Sequence, residues 1–237
     1  MRTGAFELSY QVGNNPMGRQ LVIPDIHGCS KTFKRLLKRI NLQKSDHLFL
    51  LGDYINKGPD GAGVLDIILD LIERGFQIFP LRGNHEQMLL DSHHRANGDF
   101  SVRGLPSLTK SVGLRDGNGH IFSKYLPFIQ NLPYFYELQD YYIVHAGFNL
   151  EHQYPLRDFE TMLWTKEFKG DLARTKNKTV VIGHVPTNIQ FIYQSLAQKS
   201  ALIRLDNGCV YKTKWFLGYL VCLDLNAKTI TPQPNIE

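Results

Sequence analysis

The chain has 237 residues, 43% of them hydrophobic and 21% charged, a balance that suits a globular protein with a full core and excludes a disordered or fibrous one. A formal net charge of +5 and a pI near 9.0 suit an anionic partner. The positive residues are spread along the chain without a long basic tract, which disfavours nucleic acid and fits a substrate that carries phosphate. Cys29, Cys209 and Cys222 have no C-x-x-C spacing, so neither a disulfide framework nor a zinc knuckle is indicated. Met1–Gln20 has no apolar signal region, and no stretch approaches the roughly 18 apolar residues of a spanning helix. The expectation is a cytoplasmic protein without a membrane partner.

The first third alternates β and α. A strand over Leu21–Asp25 leads to a helix with Ser30 as N-cap and an apolar face of Phe33, Leu36, Leu37 and Ile40. A strand over Leu48–Asp53 precedes an amphipathic helix from about Ala62 to Arg74, stopped by Gly75, and a third strand ends at Leu81. The βαβαβ pattern predicts a parallel sheet with helices on its face. Residues from His94 to about Gly119 are rich in Gly, Ser, Arg and Lys and read as part of a loop-rich cap at about 94–133, which includes a helix near Ile121–Asn131. Two hairpins follow, one turning at Gln139–Asp140 and one at Asn226–Lys228. With no repeats or linker in view, residues 1–237 read as a single domain of two mixed sheets flanked by helices.

Five segments carry the chemistry: PDIHG with Asp25 and His27, GDYINKG with Asp53, GNHE with Asn84 and His85, HAG with His145, and GH with His184. Each follows a run that reads as a buried strand. In an open α/β sheet the crevice lies at the carboxyl ends of the strands, so these residues converge there. A carboxylate such as Asp53 can bridge two divalent ions about 3.5–4 Å apart, the spacing that clamps both oxygens of a phosphoryl displacement. The amide oxygen of Asn84 and the imidazoles of His145 and His184 complete a mixed N/O set suited to manganese, iron or zinc rather than calcium. Other motifs fail: His85-Glu86 lacks the second His of H-E-x-x-H, because Leu89 stands there, and GPDGAG at Gly58–Gly63 is a helix-initiating turn, not a nucleotide loop.

From Pro24 to His184 these motifs resemble the calcineurin-like metallophosphoesterases, and within them the phosphoprotein phosphatase family, with similar turns continuing through LDNGC at Leu205–Cys209. The chain is most similar to bacterial Ser/Thr protein phosphatases and symmetrical dinucleoside tetraphosphatases. The resemblance implies a four-layer α/β/β/α sandwich of two mixed sheets. It implies that Asp25, His27 and Asp53 hold one metal, while Asp53, Asn84, His145 and His184 hold the other; from the donor types, two divalent ions are expected, manganese foremost, with iron or zinc as alternatives. It also implies attack by a metal-bridging hydroxide, with His85 protonating the leaving alkoxide.

Some positions depart from the family pattern. Pro24 replaces a Gly and touches no ligand. Asn56 stands where protein phosphatases carry the Asp that orients the general-acid His; as an amide it can accept a hydrogen bond from His85 but cannot supply the charge that stabilises an imidazolium. Lys57 stands in place of a phosphate-binding Arg, and Lys166 resembles a second such position; both keep the charge and lose the fork. Arg82 is expected to be a structural ion-pair partner. Arg95, Arg103, Lys110 and Arg115 of the cap read as solvated unless substrate reaches them. The functional expectation is a dinuclear phosphomonoesterase acting on a phosphorylated protein or small phosphate ester, foremost a Ser/Thr protein phosphatase. The alternatives are a symmetrical diadenosine tetraphosphate hydrolase and a catalytically impaired phosphate-binding module.

Overall fold

The computed structural model describes residues 9–95, 113–114, 123–198 and 200–237. Its elements in chain order begin with β1 (Ser9–Gln11), β2 (Gln20–Ile23), α1 (Ser30–Arg39), β3 (His47–Leu50), α2 (Gly61–Glu73), β4 (Gln77–Pro80) and α3 (Asn84–Arg95). They continue with α4 (Leu126–Gln130), β5 (Phe135–Glu137), β6 (Tyr141–Val144), α5 (Phe159–Trp164), β7 (Thr179–Ile182), α6 (Ile189–Ala197), β8 (Leu202–Arg204), β9 (Tyr219–Asp224) and β10 (Thr229–Pro234). Two five-stranded sheets result, ordered β10-β9-β2-β3-β4 and β1-β5-β6-β7-β8. β2, β3 and β4 are parallel, as the βαβαβ pattern requires, and the β5–β6 and β9–β10 hairpins are antiparallel.

Period-2 alternation builds the layers. In β2 and β3, Leu21, Ile23, Leu48 and Leu50 pack with Phe33 and Leu36 of α1 and Leu65 and Ile68 of α2. The intervening Val22 and Phe49 point the other way, into a core with Val221, Leu223, Ile143, Val181 and Ile203 that joins the two sheets. On the far face of the second sheet, Tyr142, Val144, Val180 and Ile182 pack with Met162 of α5 and Phe168. Both faces of both sheets are thus covered, which is the four-layer sandwich. Phe49 is fully buried at the sheet interface, and its truncation to Ala would cost about 3–5 kcal/mol.

The structure departs from the sequence expectation at several ends. Strands expected to run to Asp25 and Asp53 stop at Ile23 and Leu50, because the chain turns off the sheet there, with Asp53 at φ +53°. Ser30 does not cap α1: Cys29 holds that position without a side-chain cap. The Ser30 hydroxyl donates instead to Asp60 Oδ2 at 2.6 Å, while Asp60 Oδ1 caps α2 by accepting the Gly63 N–H at 2.8 Å. The start of each crossover helix is therefore tied to the other. α4 is shorter than expected, beginning at Leu126 with Pro127 in its first turn. Most of the expected cap, with Arg103, Lys110, Arg115 and the side chain of Arg95, lies outside the described residues. No helix among the described residues is long and apolar enough to cross a membrane.

Candidate metal centre and catalytic site

Six loops that follow the carboxyl ends of β2, β3, β4, β6, β7 and β8 meet between the sheets, bringing Asp25, His27, Asp53, Asn84, His85, His145, His184 and Asp206 together. The loops are stitched by main chain: the Ile26 and His27 N–H groups donate to the Asp53 carbonyl, and the Gly183 N–H donates to the His145 carbonyl at 2.8 Å. Two glycines allow the approach. A Cβ on Gly83 would lie 2.3 Å from Asp53 Oδ1, and one on Gly183 would lie 2.2 Å from Asp25 Oδ1. His27, Asp53, Asn56, Lys57 and His184 all have positive φ, from +47° to +65°. Left-handed backbone at side chains of this size costs on the order of 1–3 kcal/mol each and persists where the surroundings over-determine it, as they do around functional groups.

Asp53 stands between two clusters. Its Oδ2 lies 3.4 Å from His27 Nε2 and 3.9 Å from His85 Nε2, while its Oδ1 lies 3.6 Å from His145 Nε2. On the first side, Asp25 Oδ2 is 3.8 Å from His27 Nε2. On the second, Asn84 Oδ1, His145 Nε2 and His184 Nδ1 lie 3.0–3.1 Å from one another. Ligand atoms of His27, Asp53 and His85 lie within 4.8 Å of one another, as do those of Asp53, His145 and His184, so Asp53 is common to two groups that could each hold a cation.

The donor set fits metal ions on its own chemistry. His145 Nδ1 donates to the Leu51 carbonyl at 2.8 Å and His27 Nδ1 to the Ile55 carbonyl at 3.1 Å, which leaves each Nε2 with a lone pair facing the centre. Asn84 Oδ1 is an acceptor too, so at most one hydrogen can lie among the three contacts of the second cluster. Asp25 Oδ2 is buried without a hydrogen-bond partner. Burial, then the neighbouring Asp53, pushes the Asp25 carboxyl well up, and burial followed by Glu86 does the same to Asp53. Burial pushes His27 and His145 well down, helped by the Lys57 and His184 charges respectively, and burial with Lys57 and Lys166 takes His184 to about 4. Neutral imidazoles and carboxyls that shed charge are what a buried set does when a cation would otherwise compensate it.

Around this set lie the other residues singled out from sequence. The amide nitrogen of Asn56 lies 2.9 Å from His85 Nδ1, so Asn56 donates to the ring; the expected contact is made with its polarity reversed. Burial, followed by Lys57 and His184, lowers His85 to about 4. Lys57 Nζ donates to His27 Nε2 at 2.7 Å, at the edge of the first cluster. Lys166 is exposed, and its charge is felt at His184. Arg82 makes no ion pair among the described residues, contrary to expectation. It bonds Gln87 Oε1, the Tyr134 hydroxyl and the Ile129 and Gln130 carbonyls, and stacks on the Tyr134 ring.

Two buried acids went unmarked in the sequence reading. Glu86 Oε2 accepts the Asp53 N–H at 2.8 Å and the Gly83 N–H at 3.0 Å, and Oε1 accepts the Tyr54 N–H at 2.9 Å. It fixes the loop that carries Asp53. Asp206 accepts the Gly208 N–H at 2.7 Å, and burial together with Asp25 raises its carboxyl well above the ordinary range. LDNGC was the available signal for Asp206, and the fourth residue of GNHE for Glu86.

Residues 18–216 match the calcineurin-like phosphoesterase family, and the chain belongs to it. It is 29% identical to a symmetrical bis(5'-nucleosyl)-tetraphosphatase of Nitrosomonas europaea over 170 residues, 69% of this chain and 57% of that protein. It is 40% identical to serine/threonine-protein phosphatase 1 of Salmonella typhimurium over 75 residues, 30% of this chain and 31% of that protein. The chain thus matches just over half of one relative's length and about a third of the other's. The fold is similar to that of a Saccharomyces cerevisiae protein serine/threonine phosphatase, with a TM-score of 0.60 at 14% identity over 97% of this chain and 84% of that one. A metallophosphoesterase of Sphaerobacter thermophilus has the same fold, with a TM-score of 0.56 at 16% identity over 92% and 88% of the two chains.

Proposed function

We propose that residues 1–237 form one metallophosphoesterase domain that cleaves phosphate bonds with acidic leaving groups, and that its reaction is symmetrical hydrolysis of dinucleoside tetraphosphates to two nucleoside diphosphates. Asp25, His27 and Asp53 would hold one divalent ion, and Asp53, Asn84, His145 and His184 the other. When bound, such a pair neutralises phosphoryl oxygens and supplies a nucleophilic water near neutral pH. Lys57 and Lys166 bring positive charge to the rim for the flanking phosphates.

One observation carries the choice of leaving group: the Asn56 amide nitrogen donates to His85 Nδ1. That contact keeps the ring's proton on Nε2 and opposes a proton on Nδ1, so His85 presents a neutral N–H donor and not an imidazolium. A neutral imidazole can steady a departing oxygen by hydrogen bonding but gives up its proton poorly. A serine alkoxide needs that proton. A nucleoside diphosphate does not, because a terminal phosphate oxygen has a pKa of about 6. The tetraphosphatases among the relatives support the same reading.

The second reading is a Ser/Thr protein phosphatase, favoured by the 40% identical segment of the Salmonella enzyme. Parallel assays of manganese-loaded protein on diadenosine tetraphosphate and on phosphoserine and phosphotyrosine peptides decide between them. The first reading expects kcat/KM at least tenfold higher on the dinucleotide. A preference for phosphoserine would replace it with the second, and binding without turnover on any substrate would leave a phosphate-binding module.

A further inference from the structure

Between the Asp206 loop and β9, the segment Lys212–Gly218 presents two adjacent aromatic rings to solvent. Trp215 is 83% exposed and Phe216 43% exposed, with ring centroids 5.5 Å apart and planes tilted by 42°. The loop that carries them is not slack. The Lys214 N–H donates to the Tyr211 carbonyl at 2.8 Å, the Leu217 N–H to the Lys214 carbonyl at 3.2 Å, and the Gly218 N–H to the Asn207 carbonyl at 3.2 Å. Its neck is pinched at Gly218, φ +91°, where a Cβ would lie 2.7 Å from Lys212 Cα. Phe216 has φ +64°, a left-handed conformation that costs a bulky residue on the order of 1–2 kcal/mol.

The anchor of this strained turn leads to the donor set. Asn207 is fully buried, and its amide nitrogen donates to the Phe216 carbonyl at 2.8 Å and to the Thr187 carbonyl at 2.9 Å, while its oxygen accepts the Tyr219 N–H at 3.1 Å. One nitrogen therefore clasps the aromatic turn to the segment that runs from His184 to Thr187. The Ile189 N–H adds a second tie, donating to the Phe216 carbonyl at 3.5 Å. Lys212 Nζ donates to the Glu237 main-chain oxygen at 2.7 Å, and Lys214 Nζ lies 4.4 Å from the Tyr211 ring centroid, so both cations are held within the turn.

We propose that Trp215 and Phe216 form a stacking platform for the purine base of a nucleotide whose phosphates enter the donor set. This rests on the dinucleotide reading above. Every base offers a π face, and stacking on an aromatic side chain contributes about 1–3 kcal/mol per base, whereas a phosphopeptide brings no obligatory flat ring. An aromatic turn fixed to the segment that runs from His184 to Thr187 matches a ligand that is a flat base at one end and polyphosphate at the other.

The test uses the manganese-loaded chain. AMP should quench the tryptophan emission of the wild type, ribose 5-phosphate should not, and the AMP effect should vanish in Trp215→Phe. Trp215→Ala should raise KM for diadenosine tetraphosphate by roughly 5- to 150-fold, the kinetic equivalent of 1–3 kcal/mol, and move KM more than kcat; Trp215→Phe should recover most of the loss. Equal quenching by the two phosphates overturns the platform, as does a Trp215→Ala effect that falls on phosphoserine peptides in place of the dinucleotide. The two readings fail separately. A wild type that does not cleave the dinucleotide defeats the functional reading, while cleavage without base-specific quenching or a KM change in Trp215→Ala defeats the platform alone.

Discussion

The side-chain amide nitrogen of Asn56 points at Nδ1 of His85 from 2.9 Å, and a donor in that place sets the protonation of the imidazole beside the donor set. Asn56→Asp would exchange it for a carboxylate that accepts the Nδ1 proton and stabilises the imidazolium, raising the His85 pKa from about 4 toward neutrality. A larger fraction of the enzyme would then carry a competent acid at neutral pH. Turnover on phosphoserine peptides should rise severalfold, toward the roughly 10²–10⁴-fold range of general-acid catalysis as a ceiling. Turnover on diadenosine tetraphosphate should move less than twofold. An unmoved kcat–pH profile on alkyl phosphates would show that Asn56 does not govern His85.

His85→Ala removes the Nε2 donor and should leave metal content intact, since His85 is the member of its cluster assigned to the leaving group. If the ring acts as a neutral donor, the loss on the dinucleotide is that of about one hydrogen bond, near tenfold. It should depend little on the leaving group. A loss above a thousandfold that grows with the basicity of the leaving oxygen, measured across a series of aryl and alkyl phosphates, would make His85 a full general acid and return the protein phosphatase reading to the front.

Most of the architecture was legible because its signals are local. Unbroken β-branched and aliphatic runs mark the buried strands, Gly75 ends α2, and each chemical residue follows such a run, so their convergence at the carboxyl ends could be deduced. What sequence could not show lies in orientation and in through-space partners. Nothing about Asn56 in a string of letters says whether its nitrogen or its oxygen meets His85. Glu86 looked like half of a failed zinc motif, yet its oxygens organise the Asp53 loop from 33 positions away. Ser30 had the right chemistry for a helix cap, and Asp60, 30 residues on, took its hydroxyl. The left-handed backbone of His27, Asp53 and His184 was equally silent, because the usual markers of that conformation are Gly and Asn.

Metal binding should be strongly pH-dependent, with a sign fixed by the acids. In the metal-free fold the Asp25 and Asp53 carboxyls are raised by burial, so their contribution to stability is present at low pH and is lost as pH rises through their folded values. The imidazoles are lowered and already neutral at neutral pH, so they release no protons there. Ions that bind the folded chain must displace the carboxyl protons, and their affinity increases with pH. The rise in Tm on adding manganese should widen from pH 5 to pH 8, and calorimetry in buffers of different ionisation enthalpy should detect proton release. Asp53→Asn should release fewer protons, bind less metal and lose activity. A variant that keeps two ions per chain and most of its turnover would refute the bridging role.

The Glu86 carboxylate should matter as much as any of the donors while touching no ion. Its two oxygens accept main-chain N–H groups that include those of Asp53, Tyr54 and Gly83, in a site with no water-exposed face. Burial raises its carboxyl, and the main-chain N–H groups of Asp53, Gly83, Tyr54 and Ile55 oppose the rise. Glu86→Gln keeps the shape but turns an NH2 group toward at least one of the donors, leaving a buried N–H unpaired. A loss of about 2–3 kcal/mol follows, or roughly 5–10 °C in Tm for a chain of this size. Because Asp53 rides on the same loop, manganese affinity should fall with stability. Glu86→Asp, one methylene shorter, should keep the charge, miss the N–H groups, and do no better. If Glu86→Gln melts within 2 °C of the wild type and binds manganese equally well, the loop is held by its glycines and left-handed turns alone, and Glu86 has no part in positioning Asp53.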